Sequence, residues 1–138
     1  IGHGTIRCPA SWERSRCLAE IARTLRQQIQ KLRPTACIVE GLFYAQNFQT
    51  ALIMREARGA SLVAAAEAGL EIFEIAPRKV KQAIVGYGAA QKLAVAKMVQ
   101  RLLNLPSPPE ADAADALALA LAYAQTASRH AFDPPKRL

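Results

Sequence analysis

The order of apolar and polar positions predicts helices that alternate with short strands. Between Leu18 and Leu32 the apolar residues recur with the helical period of 3.6, and Pro34 ends that segment. Ala36 to Val39 is an unbroken apolar run, which is typical of a strand buried on both faces in a parallel sheet. Glu40 follows this strand directly, at its C-terminal end.

The residues before the first helix predict one more strand. Ile1 to Arg7 is strand-like, although two glycines weaken it, and Pro9 ends it. Ser11 is the predicted cap of the helix that follows. The chain begins with Ile1 inside this apolar stretch, and we therefore expect its native N-terminus to be missing.

The remainder of the chain continues the alternation. After a loop from Gly41 to Asn47, a segment rich in Ala, Leu and Met predicts a long helix to Ala68. The later predicted elements are a strand at Glu71 to Ala76, a short basic helix opened by Pro77, a turn at Gly86 to Gly88, a helix from about Ala89 to Leu103, and a helix from about Glu110 to Gln125. Strands and helices in this order predict an α/β layered domain.

Composition narrows the class of protein. The chain has 138 residues, of which 51% are apolar, enough for one domain with a substantial core. Its longest apolar run, Ala116 to Ala124, is far too short to span a bilayer, so we expect a soluble, unexported chain. The three cysteines have no C-x-x-C spacing, which indicates neither a disulfide framework nor a zinc site and favours the cytoplasm.

Charge is distributed unevenly along the chain. The formal net charge of +7 suggests a polyanionic partner, either nucleic acid or an acidic membrane surface, between which charge alone does not decide. Between residues 75 and 109 there are six basic residues and no acidic one: Arg78, Lys79, Lys81, Lys92, Lys97 and Arg101. A solvated helix face is the alternative, but such faces usually interleave acids as i,i+4 partners. Phosphate binding is therefore the better interpretation.

Three carboxylates form a second candidate site. Asp112 and Asp115 lie three residues apart on one face of an otherwise apolar helix, where burial and mutual repulsion would destabilise both unless a cation is bound. The alternative is a favourable interaction with the dipole at the helix N-terminus. Glu40 favours the cation, because α/β folds place their sites at the C-terminal ends of strands. Oxygen ligands suit Mg²⁺ or Mn²⁺, and beside a phosphate-binding surface they suggest two-metal phosphodiester chemistry.

Aromatic and apolar residues supply two further expectations. Phe43 and Tyr44 follow Glu40 in the loop and are predicted either to stack on DNA bases or to fill the core. The long helix after them is apolar on more than one side, which indicates either burial under the sheet or a dimer contact.

Four segments in order resemble one family of enzymes. They are I-V-E-G-L-F-Y-A-Q-N from Ile38, A-R-G-A-S-L-V-A-A from Ala57, P-R-K-V-K-Q-A-I-V-G-Y-G-A-A-Q-K from Pro77, and P-x-x-A-D-A-A-D-A-L-A-L-A from Pro108. The chain resembles the RuvC family of Holliday-junction resolvases over nearly its whole length. The resemblance implies an RNase H-like fold with a central mixed sheet flanked by helices. It also implies a homodimer that nicks two opposite strands of a four-way DNA junction symmetrically in recombination and repair, using Mg²⁺, with Mn²⁺ as a substitute and two ions per site.

The resemblance assigns roles to individual residues. Glu40, Asp112 and Asp115 match catalytic carboxylates of the family, and Phe43 resembles the aromatic that inserts at the junction centre. Other matches are basic residues that hold DNA at Lys81 and Lys92, and the dimerisation helix from about Phe48 to Ala68. Gln46 stands where many members have a basic residue. A branch-migration motor is a further candidate partner.

The chain departs from the family at its start. Gly2 to Arg7 resembles the third strand of the family, so the first two strands and the aspartate of a D-P-G motif are expected to be missing, with impaired activity as the consequence. We expect an N-terminally incomplete resolvase domain over residues 1–127 and a flexible tail over 128–138. Two alternatives stay open: a catalytically inactive DNA-binding protein of the same fold, and an RNase H-like nuclease that acts on other nucleic acids, such as in RNA processing.

Overall fold

The computed structural model describes residues 1–41, 47–128 and 135–138, and in this part the chain is an α/β protein, as predicted. Its helices and strands, in chain order, are α1 (Arg14–Leu32), β1 (Ala36–Glu40), α2 (Phe48–Glu67), β2 (Glu71–Ile75), α3 (Pro77–Val85), α4 (Lys92–Leu102), α5 (Ala111–Ser128) and β3 (Lys136–Arg137). The three strands form one sheet in the order β1-β2-β3. Within the described residues, no helix is long and apolar enough to cross a membrane.

The N-terminal prediction is wrong in two respects. Residues 1–9 form no strand: the glycine-weakened segment is not part of the three-stranded sheet of the described residues, and Ile1 is 82% exposed. Ser11 does not cap α1, since the Trp12 N–H donates to the Pro9 carbonyl oxygen (3.0 Å) and closes a turn there. The helix begins at Arg14, after Glu13.

Local signals predict the ends of the middle helices correctly. The Asn47 side chain accepts a hydrogen bond from the Gln49 N–H (2.9 Å) and so caps α2. Pro77 opens α3, where its missing N–H costs nothing, and Gly86 ends it with a φ of 96° that a residue with a side chain rarely adopts.

Two elements depart from the pattern of the sequence. The fourth helix begins at Lys92, three residues after the predicted start, because the Ala90 N–H donates back to the Tyr87 carbonyl oxygen (3.4 Å) in the turn before it. The predicted frayed C-terminus contains β3, which lies beside β2 in the sheet: the Leu138 N–H donates to the Ile72 carbonyl oxygen (3.0 Å). The domain boundaries drawn from the sequence stay a prediction.

The chain divides into two compact units, and each is described separately. The α1–α2 unit comprises Ile6–Phe73 with Arg137–Leu138. Helices α1 and α2 pack against each other in this unit. Two ion pairs join the helices at the surface, Arg14 with Glu56 (3.4 Å) and Arg26 with Glu67 (2.7 Å).

The α3–α5 unit comprises Ile1–Thr5 with Glu74–Lys136 and contains three mutually packed helices. Its core consists of aliphatic side chains from all three helices: Val80, Ile84, Val95, Val99, Ala113, Ala114, Leu117, Ala118, Leu119 and Ala122 are buried. Small alanines on α5 let the neighbouring helices approach closely. This unit holds two of the predicted catalytic carboxylates and all the basic residues of the segment 75–109.

Candidate active site and nucleic-acid interface

The N-terminal part of α5 carries both predicted aspartates, Asp112 in the first turn and Asp115 directly after it. Asp112 is exposed and Asp115 is partly buried, while Ala113 and Ala114 between them face the core. The predicted burial of both carboxylates is therefore wrong: the helix buries its alanine and leucine face and turns the aspartates toward solvent. The position of Asp112 in the first turn is also favourable for the helix dipole, which was the alternative explanation.

Asp115 is paired with a lysine from the neighbouring helix. Lys92 Nζ lies 3.1 Å from Asp115 Oδ2, because α4 packs on α5 and Lys92 is its first residue. The Lys92 side chain is 72% exposed and that of Asp115 36%, so the pair is accessible to solvent and of modest energy. A residue predicted to hold DNA thus directly contacts a residue predicted to hold a metal ion.

Glu40 lies at the exposed end of β1, in the α1–α2 unit. Its carbonyl oxygen accepts a hydrogen bond from Arg58 Nε of α2 (3.4 Å). Sequence reasoning did not identify Arg58, and the available signal was its positive charge in a mostly acidic segment. In the same strand, burial raises the pKa of the Cys37 thiol, which keeps this cysteine protonated at neutral pH and a poor nucleophile.

The carboxylates have oxygen donors of the kind that suit a hard divalent cation. Asp112 and Asp115 supply oxygen donors from one helix turn, and Glu40 belongs to the other compact unit. Over residues 1–41, 47–128 and 135–138, no three His, Cys, Asp or Glu side chains are grouped closely enough to hold a metal ion. The metal site therefore stays a prediction.

The basic residues predicted to bind DNA lie on α3 and at the start of α4. Val80 and Ile84 anchor α3 in the core, which leaves Arg78 and Lys79 exposed and Lys81 partly buried. With Lys92 they belong to one compact unit and to a segment without acidic residues. The unit can therefore offer a phosphate backbone several positive charges.

The turn between α3 and α4 contains a feature that sequence reasoning identified only as a turn. Tyr87 is 55% exposed between two glycines. The side chain of Arg78 occupies the space where Gly88 would carry a Cβ atom, which would lie 2.4 Å from Arg78 Cγ. The predicted aromatic pair Phe43 and Tyr44, and Gln46, lie outside the described residues, so their roles stay predictions.

Known proteins resemble this chain over most of its length. The family model described as "Crossover junction endodeoxyribonuclease RuvC" matches residues 1–123. A relative of that name from Akkermansia muciniphila is 47% identical over 123 residues, which are 89% of this chain and 74% of the relative. The one from Geobacter sulfurreducens is 44% identical over 127 residues, 92% of this chain and 77% of the relative.

Solved structures agree with the sequence comparison. The RuvC structure from Thermus thermophilus superimposes with a TM-score of 0.86 at 32% identity, covering 100% of this chain and 82% of that chain. Its complex with a Holliday junction substrate superimposes with a TM-score of 0.91 at the same identity and coverage. The predicted RNase H-like fold, a small mixed sheet with flanking helices, is thereby confirmed. The chain belongs to the RuvC family of crossover junction endodeoxyribonucleases.

Proposed function

We propose that this chain binds four-way DNA junctions and cleaves them symmetrically by Mg²⁺-dependent phosphodiester hydrolysis, in recombination and repair. The observation that carries the proposal is the ion pair of Lys92 with Asp115. A lysine ammonium group, which is suited to a phosphate, lies 3.1 Å from a carboxylate of the kind that holds Mg²⁺, and this supports the proposal. The structure of a relative in complex with a Holliday junction supports the choice of substrate.

Glu40, Asp112 and Asp115 are the residues that would hold the ions, two in each active site, with Mn²⁺ as a substitute. When bound, such ions activate the attacking water and stabilise charge on the leaving oxygen. The protein's own contribution is to bind and orient the phosphate through Arg78, Lys81 and Lys92. Because Asp115 already balances Lys92, the pair would hold the two groups in position before DNA arrives.

The second part of the proposal is a homodimer that presents two such surfaces. A junction has two strands to cut, and a two-fold symmetric protein matches them. The exposed apolar residues of α2 support this assignment: Phe48 is 76% exposed, and Ile53, Met54 and Val63 are also exposed. Binding of a branch-migration motor and a cytoplasmic location remain predictions.

A binding measurement distinguishes a junction-selective protein from one that binds any DNA duplex. The affinities of the chain for a four-way junction and for a linear duplex of the same length are measured at one salt concentration without divalent ions. We expect a clear preference for the junction. Equal affinities would contradict the proposed substrate.

A cleavage assay distinguishes the proposed enzyme from the alternative, an inactive DNA-binding protein. A synthetic junction with labelled arms is incubated with the chain and Mg²⁺, beside Asp112→Asn and Asp115→Asn variants. We expect any nicking to be symmetric and absent from both variants. Junction-selective binding with no nicking would contradict the proposed hydrolysis and support the inactive alternative, whereas symmetric nicking that both variants lose would support the hydrolysis.

A further inference from the structure

The turn that joins α3 to α4 is shaped around one arginine side chain. A Cβ atom on Gly88 would lie 2.4 Å from Arg78 Cγ, 3.0 Å from Arg78 Nε and 3.2 Å from Arg78 Cδ. Three successive atoms of the arginine therefore lie against the glycine. Since Cγ is close to the backbone of α3, the side chain cannot avoid an added methyl group by moving only its end.

Two glycines in this turn serve different purposes. Gly86 has a φ of 96°, so its backbone requires glycine whatever surrounds it. Gly88 is not among the glycines with positive φ, so its backbone conformation is open to any residue. The absence of a side chain at Gly88 is therefore needed for one purpose, which is to make room for Arg78.

Tyr87, between these glycines, presents an aromatic ring to solvent. Its residue is 55% exposed, although a tyrosine ring gains free energy from burial. It lies in a segment of basic residues that contains no acidic one, and in the same compact unit. An exposed ring among cations is the arrangement with which proteins bind an unpaired nucleic-acid strand: cations contact phosphates, and bases stack on the ring.

We propose that Arg78, Tyr87 and Gly88 form a binding surface for an unpaired DNA strand, in which Arg78 contacts a phosphate, Tyr87 stacks on a base, and Gly88 is a positioning residue that holds Arg78 on the turn. The proposal rests on the proposed function, because it assigns the same basic interface a second task. That task is to hold a strand that is unpaired where the junction opens. Charge complementarity and the planar ring together identify the ligand.

The experiment measures binding of the chain to an oligonucleotide with no base pairing and to a duplex of equal length, over a range of salt concentrations. Tyr87→Ala is expected to weaken binding of the unpaired strand about tenfold and to leave duplex binding and the salt dependence nearly unchanged, since stacking releases no counterions. Tyr87→Phe should restore binding because it keeps the ring. An equal loss for both DNAs would overturn the assignment of Tyr87.

A double-mutant cycle tests Gly88. Gly88→Ala should weaken binding of the unpaired strand nearly as much as Arg78→Ala, and should have no further effect when Arg78 is already alanine. Gly4→Ala is the matched control, because Gly4 lies in the same unit, has no positive φ and has nothing within 4 Å of its added Cβ. Thermal unfolding of each variant confirms that it is folded.

The outcomes distinguish this inference from the proposed function. If Arg78→Ala weakens binding while Gly88→Ala behaves like Gly4→Ala, the positioning role is wrong and the basic interface stands. If Gly88→Ala weakens binding equally with and without Arg78, the two residues are independent and the proposal fails. If Arg78→Ala, Lys81→Ala and Lys92→Ala all bind like the unaltered chain, the basic interface itself is wrong.

Discussion

Replacement of Asp115 by Asn should tighten the binding of junction DNA, and the gain should disappear when Lys92 is also replaced by Ala. Lys92 Nζ is 3.1 Å from Asp115 Oδ2. A phosphate that binds Lys92 is therefore brought close to a negative carboxylate, which repels it. Asparagine has nearly the same shape as aspartate and removes only the charge.

The expected gain follows from the distance. A phosphate oxygen on the opposite side of the ammonium group would lie about 6 Å from the carboxylate, where two unit charges repel by about 0.7 kcal/mol in water and about 2.8 kcal/mol at an effective permittivity of about 20. The lysine side chain is 72% exposed, so the lower value is more appropriate. A repulsion of about 0.7 kcal/mol corresponds to about threefold tighter binding.

The assay is competition binding with a four-way junction in a chelator, so that no divalent ion contributes. The four proteins are the unaltered chain, Asp115→Asn, Lys92→Ala and the double variant. Glu13→Gln controls for net charge, because Glu13 is exposed at the start of α1 and its side chain makes no capping hydrogen bond. The gain should shrink as salt is raised, since the charges are screened over about 10 Å at about 0.1 M.

Two results would refute this reasoning. If Asp115→Asn tightens binding equally with and without Lys92, the carboxylate does not act on a phosphate held by that lysine. If Glu13→Gln produces the same gain, the effect is one of net charge and not of this ion pair.

Three further predictions concern the same interface and the stability of the two units. Lys81→Ala should weaken junction and duplex binding alike and should reduce the slope of the logarithm of affinity against the logarithm of salt concentration by about 1, because a phosphate contact releases one counterion. Lys31→Ala on α1 is the control and should leave this slope unchanged in the same titration. Val99→Ala should lower the free energy of unfolding in urea by about 2 kcal/mol, because Val99 is fully buried between the helices of its unit; a loss below about 0.5 kcal/mol would contradict that burial. A hydrogen bond from Arg26 lowers the pKa of the Glu67 carboxyl, so this ion pair stabilises the folded chain above the ordinary pKa of the carboxyl and ceases to do so as pH falls through the lowered pKa. In urea unfolding, the unaltered chain should therefore have a higher free energy of unfolding than Arg26→Gln near neutral pH, and the difference should disappear on acidification. A difference that stays constant with pH would contradict the assignment.

Elements with local signals were predictable from the sequence. Helix α3 has a proline at its first position and a glycine after its last, and both act within one turn of the chain. The apolar run before Glu40 forms β1 as predicted, although its residues are only partly buried and not enclosed on both faces. The spacing of Asp112 and Asp115 places them in one helix turn, because three residues nearly complete the helical period.

Elements whose partners are distant in sequence were not predictable. Ile1 to Arg7 has the composition of a strand but does not belong to the sheet that the described residues form, and composition alone does not supply the paired strand that a sheet requires. Conversely, Lys136 and Arg137 have no strand pattern and still form β3, because the edge of β2 is available to them; Arg137 pairs there with Glu71 (3.0 Å).

The candidate site likewise has features that the sequence predicts and features that depend on how distant residues pack. Sequence alone predicted its chemistry, since carboxylates suit hard cations and an unbalanced run of lysines and arginines suits phosphates. Only the packing of α4 on α5 decided that Lys92 contacts Asp115, and only the path of the Arg78 side chain showed why Gly88 has no side chain. Residue type determines which ions a group can bind, whereas distances of a few ångströms between residues far apart in the chain depend on how the helices pack.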